Sequence, residues 1–247
     1  MAKRRITRKQ MKEMDKFQTR AEKATVWIAE RGWKKVVGFI VLIGLLMLAL
    51  IFVNNMLSTQ RTEASGVYGE ALNMYIRASQ PSATEYIANK EKLQNAISKF
   101  QEVIDKYDST AYAEMAKYYI VLCYFKLGKK ERGFEDGEKL FADTSEDIVQ
   151  NLIGFFLIDK YIKEEKYKEA RRLVEELESE NNDYLNPNQL LYVSGKIYER
   201  QNMIDKATEE YLKIIENEEY AAYRIDAQER LRVINPKALE DKMKTFQ

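Results

Sequence analysis

The chain has no histidine among its 247 residues. That removes the commonest general base, the commonest metal ligand, and every Ser-His or Cys-His arrangement. A single cysteine, Cys123, excludes an intramolecular disulfide framework and a paired-cysteine zinc site. Set between Leu122 and Tyr124, it reads as a small buried hydrophobe within a helix. No glycine-rich phosphate loop is present. No segment alternates with the period of two that marks a half-buried strand. Only three prolines occur, Pro81, Pro187 and Pro236, each where one helix is expected to hand over to the next. Acidic runs such as Glu175-Glu176 and Glu209-Glu210 fall on amphipathic stretches and read as solvated faces. These absences point away from an enzyme, and no cofactor or metal is expected.

Charge is missing from one stretch altogether. Val36 to Val53, VVGFIVLIGLLMLALIFV, is an apolar run of 18 residues. As a helix it spans about 27 Å, close to the hydrocarbon thickness of a bilayer. A buried core helix would carry a polar stripe, and this run has none. Trp33, Lys34 and Lys35 at its start suit a membrane interface. A cleaved signal peptide is the rival reading. Against it, a long segment precedes the run, and the first small-x-small candidate, Ala64-Ser65-Gly66, lies well beyond it. A single transmembrane helix over residues 36–53 is therefore expected.

The remaining charge divides at that helix. Residues 1–35 hold 12 Lys/Arg against 4 Asp/Glu, a net of +8, and the rest of the chain holds 28 against 35, a net of −7. Positive charge is retained on the cytoplasmic side. Residues 1–35 thus read as a basic cytoplasmic tail, and everything after the anchor as extracytoplasmic. Within the tail, Met14, Phe17, Ala21, Ala24 and Ile28 share one helical face, suited to lying on the inner leaflet. The tail has no recognisable nucleic-acid module, so anionic headgroups rather than nucleic acid are its expected contact.

What is abundant is repetition. Ala96, Gly133, Ala170 and Ala207 stand 37 residues apart. Val103, Leu140, Leu177 and Ile214 keep the same step, as do Tyr124, Tyr161 and Tyr198. A period of this length marks stacked helix pairs, none of which can bury its apolar face alone. The expected fold is all-α: a first helix over Ser65–Ala78 and a loop around Pro81, then helices near Lys90–Tyr107, Ala111–Leu127 and Lys129–Ala142. Glu146–Lys163, Tyr167–Ser179, Pro187–Arg200, Ile204–Asn217 and Tyr220–Val233 complete the series. Residues 54–89 form a linker and first helix, 90–233 the repeat domain, and 234–247 a C-terminal tail.

Gly195, Tyr198, Ala207 and Tyr211 resemble the small-aromatic-alanine-aromatic pattern of the tetratricopeptide repeat. Ile158, Tyr161, Tyr167, Ala170 and Val174 form a second copy, and Tyr124-Phe125-Lys126-Leu127-Gly128 is similar to the helix end and turn of a third. In that third copy Gly133 and Gly137 replace the alanine and aromatic, so the helix must be loosely packed or closely approached. Ala96 and Phe100 mark the most N-terminal copy. The resemblance implies an α-solenoid and a protein-binding role. The layout of basic tail, anchor and extracytoplasmic repeats is similar to the bacterial YfgM-type ancillary subunits of the Sec translocon. Asp15–Thr19 and Trp27-Ile28 look like tails in that group. The segment Ala96–Ala113 also looks like repeats of the envelope proteins BamD and CpoB, which lack a retained N-terminal anchor. The resemblance thus implies an inner-membrane, periplasm-facing adaptor or chaperone, or else a scaffold subunit of an envelope complex. Proteins or unfolded segments, among them Sec subunits, would be its partners.

In tetratricopeptide arrays the first helix of each pair lines a concave groove. By that resemblance the groove positions are Met115, Tyr118, Leu122, Phe125 and Lys126 in one repeat. Leu152, Phe155, Asp159, Ile162 and Lys163 follow in the next, and Gln189, Tyr192, Lys196, Glu199 and Arg200 in the last. The Lys/Asn set that clamps a terminal carboxylate in some adaptors is not reproduced. The groove is aromatic and aliphatic at one end and charged at the other. Such side chains either offer a binding surface or pack against a neighbouring helix of the chain.

Overall fold

The computed structural model describes residues 33–80, 86–179, 184–217 and 221–244, together with Lys23 and Val26. The expected amphipathic helix of the tail and the loop at Pro81 lie outside the described residues. The chain divides into two compact units, Met1–Thr59 and Gln60–Gln247. Ten helices are described and no strand occurs among the described residues: α1 (Trp33–Ser79), α2 (Tyr86–Lys106), α3 (Ala111–Lys126), α4 (Lys130–Asp143) and α5 (Asp147–Lys163). They are followed by α6 (Tyr167–Ser179), α7 (Pro187–Arg200), α8 (Ile204–Glu216), α9 (Arg224–Ile234) and α10 (Pro236–Lys244).

In the first unit, α1 is long and apolar enough to cross a membrane, by length and composition. Its side chains from Val37 to Val53 are exposed all round, Phe39 at 62% and Phe52 at 71%. The helix does not pause where a linker is expected before Ser65. Asn54 to Ala64 contains neither proline nor glycine, so nothing there ends it. Ala64-Ser65-Gly66 is accordingly helical, with Ala64 fully buried.

In the second unit, consecutive helices from α2 to α10 pack on one another. The 37-residue positions form its core. Ala96, Ala170 and Ala207 are fully buried, and Gly133 at the fourth site is buried as well; Val103, Leu140, Leu177 and Ile214 line up beside them. Small residues there let helix axes approach. Where the pattern falls to glycine, a neighbour fills the space: Leu157 Cδ2 lies 2.8 Å from where a Cβ on Gly137 would stand. The helix is closely approached, not loosely packed. The relation is reversed at Gly195, which gives room to the fully buried ring of Tyr211.

The turns inside the pairs repeat as well. Gly128, Glu165 and Asn202 are 37 residues apart and all left-handed, with φ of 74°, 58° and 59°. In each turn the following N–H reaches back to a tyrosine carbonyl: Lys129 to Tyr124, Lys166 to Tyr161 and Met203 to Tyr198, at 2.8–2.9 Å. This is the Schellman closure of a helix. α3 starts at Thr110, whose hydroxyl accepts the Ala113 N–H at 3.3 Å, and α7 at Asn186, whose side chain accepts the Asn188 N–H.

The end of α1 belongs to this unit from Gln60 onward. Ala64, Ala71 and Ala78 are buried at seven-residue intervals, and Tyr68 and Tyr75 follow the same interval. Tyr68 meets Phe100, Tyr112 and Tyr119 with ring centroids 5.4–6.0 Å apart, and Tyr75 meets Tyr119 edge-on at 5.1 Å. At the other end, the stretch read as a tail contains α10. Pro236 occupies its first position, where a missing N–H costs nothing. Leu239 packs with Tyr211, Ile214 and Leu231.

Candidate protein-binding groove

The face of α5 is set by its sequence spacing. Ile148, Leu152, Phe155, Asp159 and Lys163 recur at three- and four-residue steps, and none is buried. Ile153, Leu157 and Ile158, turned the other way, are fully buried. Ile148 and Leu152 expose 52% and 38% of their surface, a free apolar strip. On α3 the matching positions Met115, Tyr118, Leu122 and Phe125 are half-buried, and Lys126 is exposed. Ile162, also expected in the groove, is buried in the core.

A cavity of about 430 Å³ opens between the end of α1, α3 and α5. Its apolar wall is Tyr75, Leu122, Phe125 and Phe156. Phe125 meets Phe156 edge-on at 5.1 Å and Phe134 at 5.0 Å. The rim carries Lys126, Lys130, Lys160 and Lys163 against one carboxylate, Glu164. Lys160 Nζ lies 4.7 Å from the Phe156 centroid and Lys126 Nζ 5.7 Å from that of Tyr75. Lys163 Nζ donates to Asp159 at 2.7 Å, and Lys160 Nζ is 3.5 Å from the same oxygen. Burial pushes the Asp159 carboxyl upward, but the hydrogen bond from Lys163 and the charges of Lys163, Lys160 and Lys196 outweigh it and hold the group below its ordinary value.

Of the groove residues expected from sequence, Leu122, Phe125, Lys126 and Lys163 meet at this cavity. Met115, Tyr118 and Phe155 lie half-buried against the adjoining core, and Leu152 stays exposed. The α7 set does not line the cavity. Tyr192 is covered by the rings of Tyr211 and Tyr223, at 5.8 and 5.3 Å, with Lys196 Nζ 5.9 Å from its centroid. Glu199 accepts from the Tyr211 hydroxyl at 3.1 Å and, through its two oxygens, from Nε and Nη2 along one edge of the Arg230 guanidinium. Gln189 is half-buried, and the Arg200 carbonyl accepts the Tyr167 hydroxyl at 3.5 Å. That end of the groove is occupied by α9.

Tyr75, Lys130, Phe156, Lys160 and Glu164 escape the sequence reading. Phe156 and Lys160 carry a usable signal, an aromatic-lysine pair four residues apart on one helix. Tyr75 carries only its seven-residue relation to Tyr68, which marks a packing face and no cavity.

The family model for a tetratricopeptide repeat-like domain matches residues 26–232. The chain belongs to this family. Such repeats are generally non-catalytic protein-interaction domains. No curated protein matches the tetratricopeptide-like chain. Among solved structures it is similar to one described as "MamA RS-1 ArsTM double mutant", at 13% identity over 72% of this chain and 91% of that one, with a TM-score of 0.44.

Proposed function

We propose that this tetratricopeptide-like chain is a single-pass inner-membrane protein with residues 1–35 inside, 36–53 in the bilayer and the repeats in the periplasm. There it acts as an adaptor or holdase beside the Sec translocon, in the manner of the YfgM-type subunits. The observation that carries the binding role is the exposed pair Ile148 and Leu152, continued by the half-buried Phe155 toward an aromatic cavity. Apolar surface of this kind is a site for partners. The anchor rests on the apolar, fully exposed helix, and the orientation on the +8/−7 charge division.

Proteolysis of intact spheroplasts tests the topology: the repeats are digested and the tail is spared, whereas protected repeats overturn it. Copurification in mild detergent tests the partner, and recovery of Sec channel subunits supports the adaptor reading. Leu152→Ser with Phe155→Ser tests the groove. Crosslinking to secreted chains should fall while helix content stays. Loss of both signals would make these residues core and end the groove reading.

A scaffold subunit of an envelope complex is the second reading. It is favoured by the closure of the Tyr192 and Glu199 end by the chain's own α9, which shortens the surface open to varied chains. A stoichiometric complex without Sec subunits would select it.

A further inference from the structure

We propose that the cavity between α1, α3 and α5 receives an acidic side chain of an extended peptide, whose neighbouring apolar residues lie along the exposed strip of α5. The inference rests on the protein-binding reading above and adds the chemistry and direction of the ligand.

The lysines are unequally engaged. Lys130 is paired with Glu164 at 2.5 Å and Lys163 with Asp159 at 2.7 Å. Lys160 has only the longer 3.5 Å approach to an Asp159 oxygen that Lys163 already holds. Lys126 has no carboxylate partner among the described residues; its ammonium rests over Tyr75. An incoming carboxylate can therefore engage Lys126 and Lys160 without displacing an existing close pair. Both ammoniums stand beside aromatic faces, and Lys160, whose side chain is 25% exposed, is the better shielded of the two, so that a charge-assisted hydrogen bond to it is stronger than in bulk solvent. A cationic ligand would meet four lysines and one glutamate.

The apolar side of the argument sets the ligand's form. From Lys163 back to Ile148 the open face of α5 runs about 22 Å, the length of about seven extended residues. Asp159 and Lys163 stand at one end, and Phe155, Leu152 and Ile148 continue to the other. A free inorganic anion would use the lysines and leave this strip uncovered. A peptide with acidic residues at one end and aromatic or aliphatic ones after them uses both.

The full chain in zwitterionic nanodiscs is titrated with a fluorescent, C-terminally amidated peptide carrying two glutamates followed by alternating Phe and Leu. A second peptide has glutamine in place of glutamate. The acidic peptide is expected to bind at least about tenfold more tightly, and the advantage should shrink with added salt. Lys126→Gln with Lys160→Gln should reduce that ratio to within about threefold and leave the glutamine peptide unaffected. Lys126→Arg with Lys160→Arg should restore it, with circular dichroism unchanged in both variants. Equal affinity of the two peptides overturns the acidic subsite while sparing the groove. Binding that appears only with a free terminal carboxylate makes the site an end-binder and overturns the proposal. Competition by phosphatidylglycerol vesicles, but not by zwitterionic ones, assigns the lysines to the membrane and also overturns it. Failure of both peptides to bind overturns this proposal and the protein-binding reading together.

Discussion

The ring of Phe125 lies against Gly133. A Cβ on residue 133 would stand 2.6 Å from the ring's Cε2 and 2.7 Å from its Cδ2. One face of Phe125 therefore completes the α3–α4 packing while the side chain also lines the cavity. The groove and the core share this residue, so a change behind it moves the wall in front.

Gly133→Ala is expected to force the Phe125 ring outward and to destabilise by about 1–3 kcal/mol, the usual cost of overpacking. Phe125→Leu should relieve part of that loss, and a double-mutant cycle from urea unfolding midpoints measures the coupling. Additive losses would separate the two residues.

Glu165 holds a left-handed conformation where the equivalent turn uses Gly128. A side chain there costs about 1 kcal/mol or more, only partly offset by the greater freedom of glycine in the unfolded chain. Glu165→Gly should raise the unfolding midpoint, with a net gain below about 1 kcal/mol. A lowered midpoint would show that Glu165 contributes an interaction beyond its backbone.

Glu199 joins α7 to both α8 and α9 through Tyr211 and Arg230. Glu199→Ala leaves a fully buried tyrosine hydroxyl without its acceptor and a guanidinium without its carboxylate. The expected loss is about 1–3 kcal/mol. Hydrogen exchange should rise in α9 before α5, because the hydrogen bonds that Glu199 accepts tie together only the C-terminal helices. Uniform change along the chain would contradict this.

Burial pushes the Cys123 thiol up to about 12, against a small opposing effect of Lys126. In the unfolded chain it titrates near about 8.5. The folded value is the raised one, so its contribution to stability is complete below about pH 8.5 and is lost as pH rises through the folded value. Thermal midpoints should fall between pH 8.5 and 11, less steeply for Cys123→Ala. In the folded chain, thiol reagents should react slowly at pH 8 and at the unfolded rate in denaturant. Fast labelling without denaturant would place Cys123 at the surface.

Much of the fold is legible in the 37-residue period. Small and branched residues at that step predicted which faces meet, and those faces are the buried ones. Gly128 announced a turn whose left-handed form recurs at Asn202, a residue that carries a weaker signal for it, and at Glu165, which carries none. Gly133 and Gly137 announced a departure from the repeat, but not what would fill it. That depended on Phe125, from the preceding helix, and on Leu157, from the following one.

The groove was legible only by half, and for a related reason. Residue spacing sets which side of a helix is apolar, because 3.6 residues complete a turn. It marks the face that Leu152, Phe155 and Lys163 share on their own helix; that Leu122 and Phe125 open on the same side was implied only by the tetratricopeptide resemblance. Spacing does not set how far each helix rotates against its neighbours. Packing decided that Phe156 and not Phe155 reaches the cavity, that Tyr75 from α1 closes one wall, and that Tyr223, at the start of α9, and Arg230 within it cover Tyr192 and Glu199. These side chains come from helices distant in sequence, and only the assembled chain brings them within reach.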